Sequence, residues 1–186
     1  AGNNFPKRFN LIGVAELHFW HGFDRMIRGL SIYYNKPVEI EVYFDIVGEG
    51  DPEKQKLIQM VKDLNLEKWV HFHGNQFGTK LDSLFERSDL GIASLARHRS
   101  GITNIKTLKN REYAARGIPF IYSEIDDDFE SMPYVIKAPV DESPIDVDRL
   151  IDFYTSIKQT PLEIRESIIN TLTWKVQMQK VIDETF

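Results

Sequence analysis

The chain has 186 residues, of which 42% are hydrophobic and 27% charged, a composition typical of globular proteins and sufficient for one well-filled core. Its net charge is −5 and it contains no block of lysines and arginines, so we expect no nucleic-acid partner. The absence of cysteine excludes disulfides, thiolate zinc sites and cysteine nucleophiles, and no apolar run approaches the roughly 18 residues that a transmembrane helix needs.

Short apolar runs alternate with amphipathic segments along most of the chain. The first strand is expected at 9–15, and apolar residues from Trp20 to Tyr34 then mark one face of a helix. Further strands are expected at 42–47, 70–73, 90–95, 118–122 and 134–138, with helices at 51–64 and 81–87. This alternation predicts an α/β domain: a Rossmann-like, doubly wound and mostly parallel sheet of about six strands with helices on both faces.

The two ends of the chain differ from this pattern. Residues 1–8 are predicted to be a disordered or linker segment, and 9–186 a single domain. Three successive helices are expected at 146–158, 162–172 and 174–182, the second with Pro161 in its first turn, where a missing N–H costs nothing. We interpret these extra helices as a tail that packs back on the domain or on a partner domain.

The segment 105–122 contains the most informative side chains. Leu108, Glu112 and Ala115 recur at spacings of four and three, which predicts one core-facing side of a helix that ends at Gly117. Lys109 lies three residues before Glu112, so the two side chains are neighbours on the helix. They are either a cation and an anion available to one ligand or an ordinary surface ion pair, and the spacing alone leaves both interpretations open.

The loop before this helix is predicted to form an anion site. Gly101, Ile102, Thr103 and Asn104 precede the helix, and Thr and Asn are good N-caps. Free backbone N–H groups at a helix N-terminus attract phosphate, so this loop and the Lys109–Glu112 pair together are suited to a phosphate and a ribose.

Other polar groups are predicted to be mainly structural. The acidic run 126–128 is expected to cap a helix rather than to bind a cation, and His71 and His73 share one side of a strand without an evident third metal ligand. We therefore predict no metal site. The basic run 97–99 follows the fourth strand, where it would contact phosphate, an acceptor or only solvent.

Five segments, taken in order and spacing, resemble the donor-nucleotide-binding C-terminal domain of GT-B glycosyltransferases of the family 4-like (group 1) type. They are Leu11-Ile12-Gly13-Val14-Ala15 with the later Trp20-His21-Gly22-Phe23-Asp24, Ile46-Val47-Gly48-Glu49-Gly50, Val70-His71-Phe72-His73-Gly74, Leu84-Phe85 with Ser88-Asp89-Leu90-Gly91-Ile92, and Glu112-Tyr113-Ala114-Ala115-Arg116-Gly117-Ile118-Pro119.

This resemblance implies one half of a GT-B fold, which binds a nucleotide-diphosphate sugar and transfers the sugar, with retention of configuration, to an acceptor held by a separate N-terminal domain. Glu112 would bind the ribose, and Gly74, Asn75 and Gln76 the base. Gly13 would allow close approach of the diphosphate, and no cofactor or metal would be needed. Polysaccharide or glycolipid synthesis is the implied role, in the cytoplasm and, through the missing domain, at the inner face of the membrane.

Three positions depart from the family pattern. Ala15 and His21 occupy the places of its usual phosphate-binding Arg and Lys, and Asn104 that of its first glutamate. A variant of the group has a lysine three residues before the ribose-binding Glu-Tyr pair, as in Lys109-x-x-Glu112-Tyr113. We therefore infer that Lys109 supplies phosphate charge and, with Asn104, takes part in catalysis, while His21 donates a hydrogen bond.

Two other functions would fit the same pattern. A GT-B relative that epimerises or hydrolyses nucleotide sugars would use the same donor site. A non-catalytic receiver-like α/β module has a similar alternation, but it needs a phosphorylatable Asp after the third strand, where this chain has Gly74-Asn75.

Overall fold

The structure is a computed structural model that describes residues 7–170. The strands are β1 (Arg8–Val14), β2 (Glu41–Val47), β3 (Val70–Phe72), β4 (Leu90–Ile92), β5 (Phe120–Tyr122) and β6 (Val135–Lys137). The helices are α1 (Phe23–Tyr34), α2 (Glu53–Asp63), α3 (Gly78–Glu86), α4 (Leu108–Ala115) and α5 (Val147–Ser156), with 3-10 turns at Phe19–His21 and Arg97–Ser100 and a further helix, α6, over 161–170. The predicted helix at 174–182, the end of the helix at 162–172 and most of the N-terminal linker lie outside the described residues.

All six strands are parallel and form one sheet in the order β3-β2-β1-β4-β5-β6. The predicted Rossmann-like class is confirmed, and this strand order differs from the 2-1-3-4-5 order of receiver-like modules. Strand order reverses between β1 and β4, the point at which such sheets bind ligands.

Successive residues of β1 point to opposite faces of the sheet and so contribute to two cores. Leu11 packs with α1, α2 and α5 on one face, whereas Ile12 packs with α3, α4 and α6 on the other. Both residues are fully buried, so the sheet is covered on both sides, as predicted. None of the helices within residues 7–170 is long and apolar enough to cross a bilayer.

Gly13 is explained by packing between β1 and α1. A Cβ atom at this position would lie 2.7 Å from the Phe23 ring and 3.1 Å from the Phe44 ring. Only glycine therefore lets α1 sit this close to the sheet, and the predicted role of Gly13 in ligand approach stays a prediction.

The buried hydroxyl of Tyr113 links β1 to β4 at the reversal point. It accepts a hydrogen bond from the Val14 N–H at 3.1 Å and donates one to the Ile92 carbonyl at 2.9 Å. The Tyr113 ring covers Gly91, where a Cβ atom would lie 2.8 Å from the ring. The side chain thus occupies the space in which the ends of the two strands no longer pair directly.

The α4 stripe predicted from the sequence is wrong. Leu108 is 87% exposed and Ala115 is exposed, whereas Asn110, Tyr113 and Ala114 are buried. The helix is rotated because the hydroxyl of Tyr113 and the amide of Asn110 have buried partners, which an outward-facing position would leave unpaired.

We predict that Tyr113→Phe lowers the free energy of unfolding by about 1–3 kcal/mol, because it leaves the Val14 N–H and the Ile92 carbonyl without their partner. Urea unfolding of the chain measures this loss. Tyr43→Phe is the matched control, since the Tyr43 hydroxyl donates to the Glu41 carboxylate at the surface. Equal stabilities of the two variants would contradict the bridging role of Tyr113.

Candidate functional site

The loops that follow β1, β2 and β3 are joined by backbone hydrogen bonds at the carboxyl edge of the sheet. Ala15 N–H donates to the Val47 carbonyl at 2.9 Å, and Gly48 N–H donates to the Gly74 carbonyl at 2.8 Å. Gly48 has φ +133°, and a Cβ atom there would lie 1.7 Å from the Ala15 carbonyl oxygen. The glycine therefore permits the close contact between the loops after β1 and β2.

An open cavity of about 570 Å³, which we call the edge cavity, lies at these loops. Its walls come from the loops after β1, β2 and β3 and from α4, and they bring together the predicted Glu112, Asn75 and Gln76. The lining residues are Val14, Ala15, Glu16, Val47, Gly48, Glu49, Gly50, Asn75, Gln76, Phe77, Leu81 and Glu112.

The edge cavity is acidic. Its lining includes the carboxylates of Glu16, Glu49 and Glu112 but no basic side chain. Lys54 neutralises part of this charge, since its ammonium lies 2.7 Å from the Glu49 carboxylate. Carboxylates accept hydrogen bonds from hydroxyl and N–H groups and repel phosphate, so the cavity suits a neutral, hydrogen-bond-donating ligand part such as a ribose and a base.

Glu112 is half-exposed, with its side chain 43% accessible, and its ion-pair partner is Arg116 at 3.4 Å. Within the described part of the chain no ion pair joins Glu112 to Lys109. The interpretation of these two residues as an ordinary surface ion pair is therefore wrong. Arg116 also binds Asp82 at 2.9 Å. The Glu112 carboxylate therefore lines the cavity, and a ligand that binds it would compete with its long ion pair to Arg116.

Lys109 extends from α4 to the end of β1, where its ammonium donates to the Val14 carbonyl at 2.8 Å. Burial and, to a smaller extent, the nearby Arg97 charge lower the pKa of Lys109 to about 7, although Glu124 and Glu112 act in the opposite direction. An arriving anion would favour the charged form. Lys109 is thus an ammonium whose charge a bound diphosphate would stabilise.

His21 lies in the 3-10 turn before α1 and is buried, at 6% exposure. Burial, followed by the charge of Lys109, lowers the pKa of His21 to about 2, so the ring is neutral at physiological pH. Its Nδ1 accepts the His18 N–H at 3.1 Å, which leaves the proton on Nε2. His21 can therefore donate a hydrogen bond but does not supply a positive charge.

The prediction that residues 101–104 cap the helix is wrong. Helix α4 begins at Leu108 and its N-cap is Thr107, whose hydroxyl accepts the Asn110 N–H at 3.3 Å. Gly101 instead ends a 3-10 turn with φ +73°, and Asn104 pairs alongside Ile125 in a short parallel bridge. None of Gly101, Ile102, Thr103 and Asn104 lines the edge cavity, and their ligand roles stay predictions.

Several charged groups prove to be paired within the fold. Arg99 binds Asp24 at 2.8 Å and Glu142 at 2.7 Å, and Arg111 binds Asp126 at 3.0 Å. His71 in β3 and His73 just after it both lie near the buried Asp45 carboxylate, with His73 Nε2 2.6 Å from it. Within residues 7–170 no group of three or more acidic, histidine or cysteine side chains could hold a metal ion.

Sequence reasoning missed three buried polar side chains, Ser94, Asn110 and Glu124, which lie after β4, in α4 and after β5. With the partly buried Arg97 of the basic run 97–99, they form a set that we call the polar cluster. Glu124 is 3% exposed, and burial raises its pKa while Asn110 and Arg97 lower it. The available signal was an acidic residue two positions after the buried strand β5, because the carboxyl ends of neighbouring parallel strands meet at one edge.

A sequence model described as glycosyl transferases group 1 matches residues 8–142. No curated protein has a significantly similar sequence. Three similar solved structures are a sucrose-phosphate synthase from Thermosynechococcus elongatus, a glycosyltransferase from Rickettsia africae and the pneumococcal O-GlcNAc transferase GtfA in complex with UDP and GlcNAc.

The likeness to these structures shows the fold. Their identities to this chain are 16%, 16% and 17%, with TM-scores of 0.71, 0.67 and 0.63. The aligned regions cover 98%, 94% and 95% of this chain but 47%, 46% and 35% of the similar chains. This chain therefore spans about half of their length or less.

The lowered pKa of Lys109 predicts a specific pH dependence of stability. Between about pH 7 and 9 the folded chain holds fewer protons at this side chain than the unfolded chain, whose lysine titrates near its ordinary pKa, so the free energy of unfolding rises with pH in this window. Urea unfolding across the window should show this rise in the native chain and a smaller one in Lys109→Met. Lys56→Met, at an exposed lysine of α2, should keep the native slope. Parallel slopes in the native chain and Lys109→Met would refute the shift.

Proposed function

Because the chain belongs to the family of group 1 glycosyl transferases, we propose that it is the donor-binding half of such an enzyme and moves a sugar from a nucleotide-diphosphate sugar to an acceptor. The observation that carries this proposal is the placement of Glu112 and Lys109. One turn of α4 directs a carboxylate to the edge cavity and an ammonium to the end of β1.

The orientation of the donor follows from the separation of charges. The ribose hydroxyls donate to Glu112 in the acidic cavity, and the base lies toward Asn75 and Gln76, whose amides can bind its polar edge. The diphosphate lies toward Lys109 and His21, away from the three carboxylates. UDP is the first nucleotide to test, because one similar structure was solved with UDP.

The chemistry requires stabilisation of a leaving group. As the bond between sugar and diphosphate breaks, negative charge grows on the diphosphate, and donors that point at it stabilise the transition state more than the ground state. The Lys109 ammonium and the His21 Nε2–H supply such donors without a metal. We propose retention of configuration and a polysaccharide or glycolipid acceptor, as the family resemblance implies.

The acceptor side belongs to a second domain in this proposal. Similar structures are about twice as long as this chain or longer, and the carboxyl edge of the sheet is open to solvent at Phe77, which is 78% exposed. An N-terminal domain of the longer protein would close over the donor and hold the acceptor, at the cytoplasmic membrane face if the acceptor is a lipid. A nucleotide-sugar epimerase or hydrolase would use the same donor site, and product analysis of the full protein separates these activities.

We predict that Glu112→Gln weakens binding of a nucleoside diphosphate by about 1.5–3 kcal/mol, the contribution of hydrogen bonds to a charged group. The change in unfolding free energy should stay below about 1 kcal/mol, because the Arg116 pair is partly exposed. Isothermal titration calorimetry with UDP, GDP and ADP measures the affinity. Glu86→Gln, at an exposed position at the end of α3, is the matched charge control.

The same titrations test the diphosphate site and the absence of a metal. Lys109→Gln should reduce affinity for the diphosphate more than for the corresponding nucleoside, and affinities should be equal in EDTA and in Mg²⁺. Equal losses for nucleoside and diphosphate would remove Lys109 from the phosphate site. Binding that requires Mg²⁺ would overturn the metal-free mechanism, and unchanged affinity in Glu112→Gln would overturn the ribose site.

A further inference from the structure

Glu124 is a buried carboxylate with half of its hydrogen-bonding capacity unfilled. One oxygen accepts the Asn110 amide N–H at 3.3 Å, whereas the other, Oε2, is shielded from solvent and has no hydrogen-bond partner among residues 7–170. Leaving a buried charged acceptor unpaired is costly, so such groups in folded proteins are commonly associated with a ligand or a chemical role.

The other members of the polar cluster share this property. In the part of the chain that the structure describes, Ser94 Oγ, Asn110 Oδ1 and Arg97 Nε are also buried atoms without a hydrogen-bond partner. Ser94 and Asn110 are 1% and 0% exposed, so both side chains lie in the interior of the fold. Two unfilled acceptors, one donor and one hydroxyl therefore lie together at the ends of β4 and β5 and in the first turn of α4.

The chemistry of these four atoms selects the class of ligand. A phosphate only accepts hydrogen bonds and would leave the oxygens of Glu124 and Asn110 unpaired. A sugar hydroxyl both donates and accepts, so it can donate to Glu124 while it accepts from Arg97. A polyol is thus the ligand that fills the polar cluster.

The position of the polar cluster relative to Lys109 fits the sugar of a donor. Lys109 interacts electrostatically with Glu112 of the edge cavity and with Arg97 and Glu124 of the polar cluster. Both carboxylates are thus close enough to Lys109 to reach the two groups that flank a diphosphate bound there, the ribose and the sugar.

We propose that Glu124 binds a hydroxyl of the donor's sugar, with Arg97 donating to the same sugar and Ser94 and Asn110 completing the site. This inference rests on the proposed function and adds the residues that recognise the transferred sugar. It assigns to them no contact with the nucleotide.

Calorimetric titration of the chain with UDP and UDP-glucose, GDP and GDP-mannose, and ADP and ADP-glucose tests the proposal. For the pair that the native chain binds, Glu124→Gln should weaken binding of the sugar nucleotide about tenfold and leave the diphosphate unchanged. Glu67→Gln, which removes the same charge at an exposed position before β3, should change neither affinity.

Ser94→Ala provides a second variant that tests the cluster with little risk to folding. It removes an unpaired buried hydroxyl, so the melting temperature should stay the same or rise while affinity for the sugar nucleotide falls. Unchanged sugar-nucleotide affinity in both variants would overturn the proposal, as would equal losses for the sugar nucleotide and the bare diphosphate. If the native chain binds no nucleotide at all, the proposed function itself fails. Titration of the native chain thus distinguishes failure of the proposed function from failure of the sugar site.

Discussion

The site depends on the way in which one turn of α4 holds the last residue of β1. Val14 donates its N–H to the Tyr113 hydroxyl and accepts the Lys109 ammonium at its carbonyl, so two side chains of one helix satisfy both backbone groups at the strand's end. These two contacts hold α4 against the end of β1, next to the point where the strand order reverses. It also determines that Glu112, between the two contacts in sequence, faces the edge cavity.

The same constraint separates charge along the carboxyl edge. Carboxylates of the loops after β1 and β2 and of α4 line the edge cavity, whereas the Lys109 ammonium lies at the end of β1 and Arg97 follows β4. A donor with a neutral nucleoside, a charged diphosphate and a neutral sugar has matching parts in the same order. The neutral His21 supports this arrangement, because a second permanent cation beside Lys109 would lower the pKa of that lysine further.

The sequence predicted the sheet well because buried parallel strands leave a plain signal. The run from Ile118 to Tyr122, for example, has only apolar or aromatic side chains, and all six expected strands are present, with their ends shifted by at most three residues. The break between the 3-10 turn and α1 at Gly22 was not predicted, since the apolar face continues across it.

The site was harder to predict because its geometry depends on buried polar atoms. Leu108 was predicted to lie on a core-facing stripe but is exposed, and Asn110, which that stripe does not include, is fully buried. The helix start was placed too early because Thr103 and Asn104 are as good N-caps by type as Thr107. Glu124 was missed because no periodic pattern reveals that a carboxylate after a strand turns inward.

A crystal structure of this chain with a bound nucleoside diphosphate tests the central claim most directly. The account predicts both ribose hydroxyls within hydrogen-bonding distance of the Glu112 carboxylate and the diphosphate beside the Lys109 ammonium at the end of β1. A nucleotide bound elsewhere, such as in the cavity lined by Asp89 and Tyr154 at the opposite edge of the sheet, would contradict the account. So would a nucleotide at the carboxyl edge with its phosphates beside Glu49 and its ribose away from Glu112.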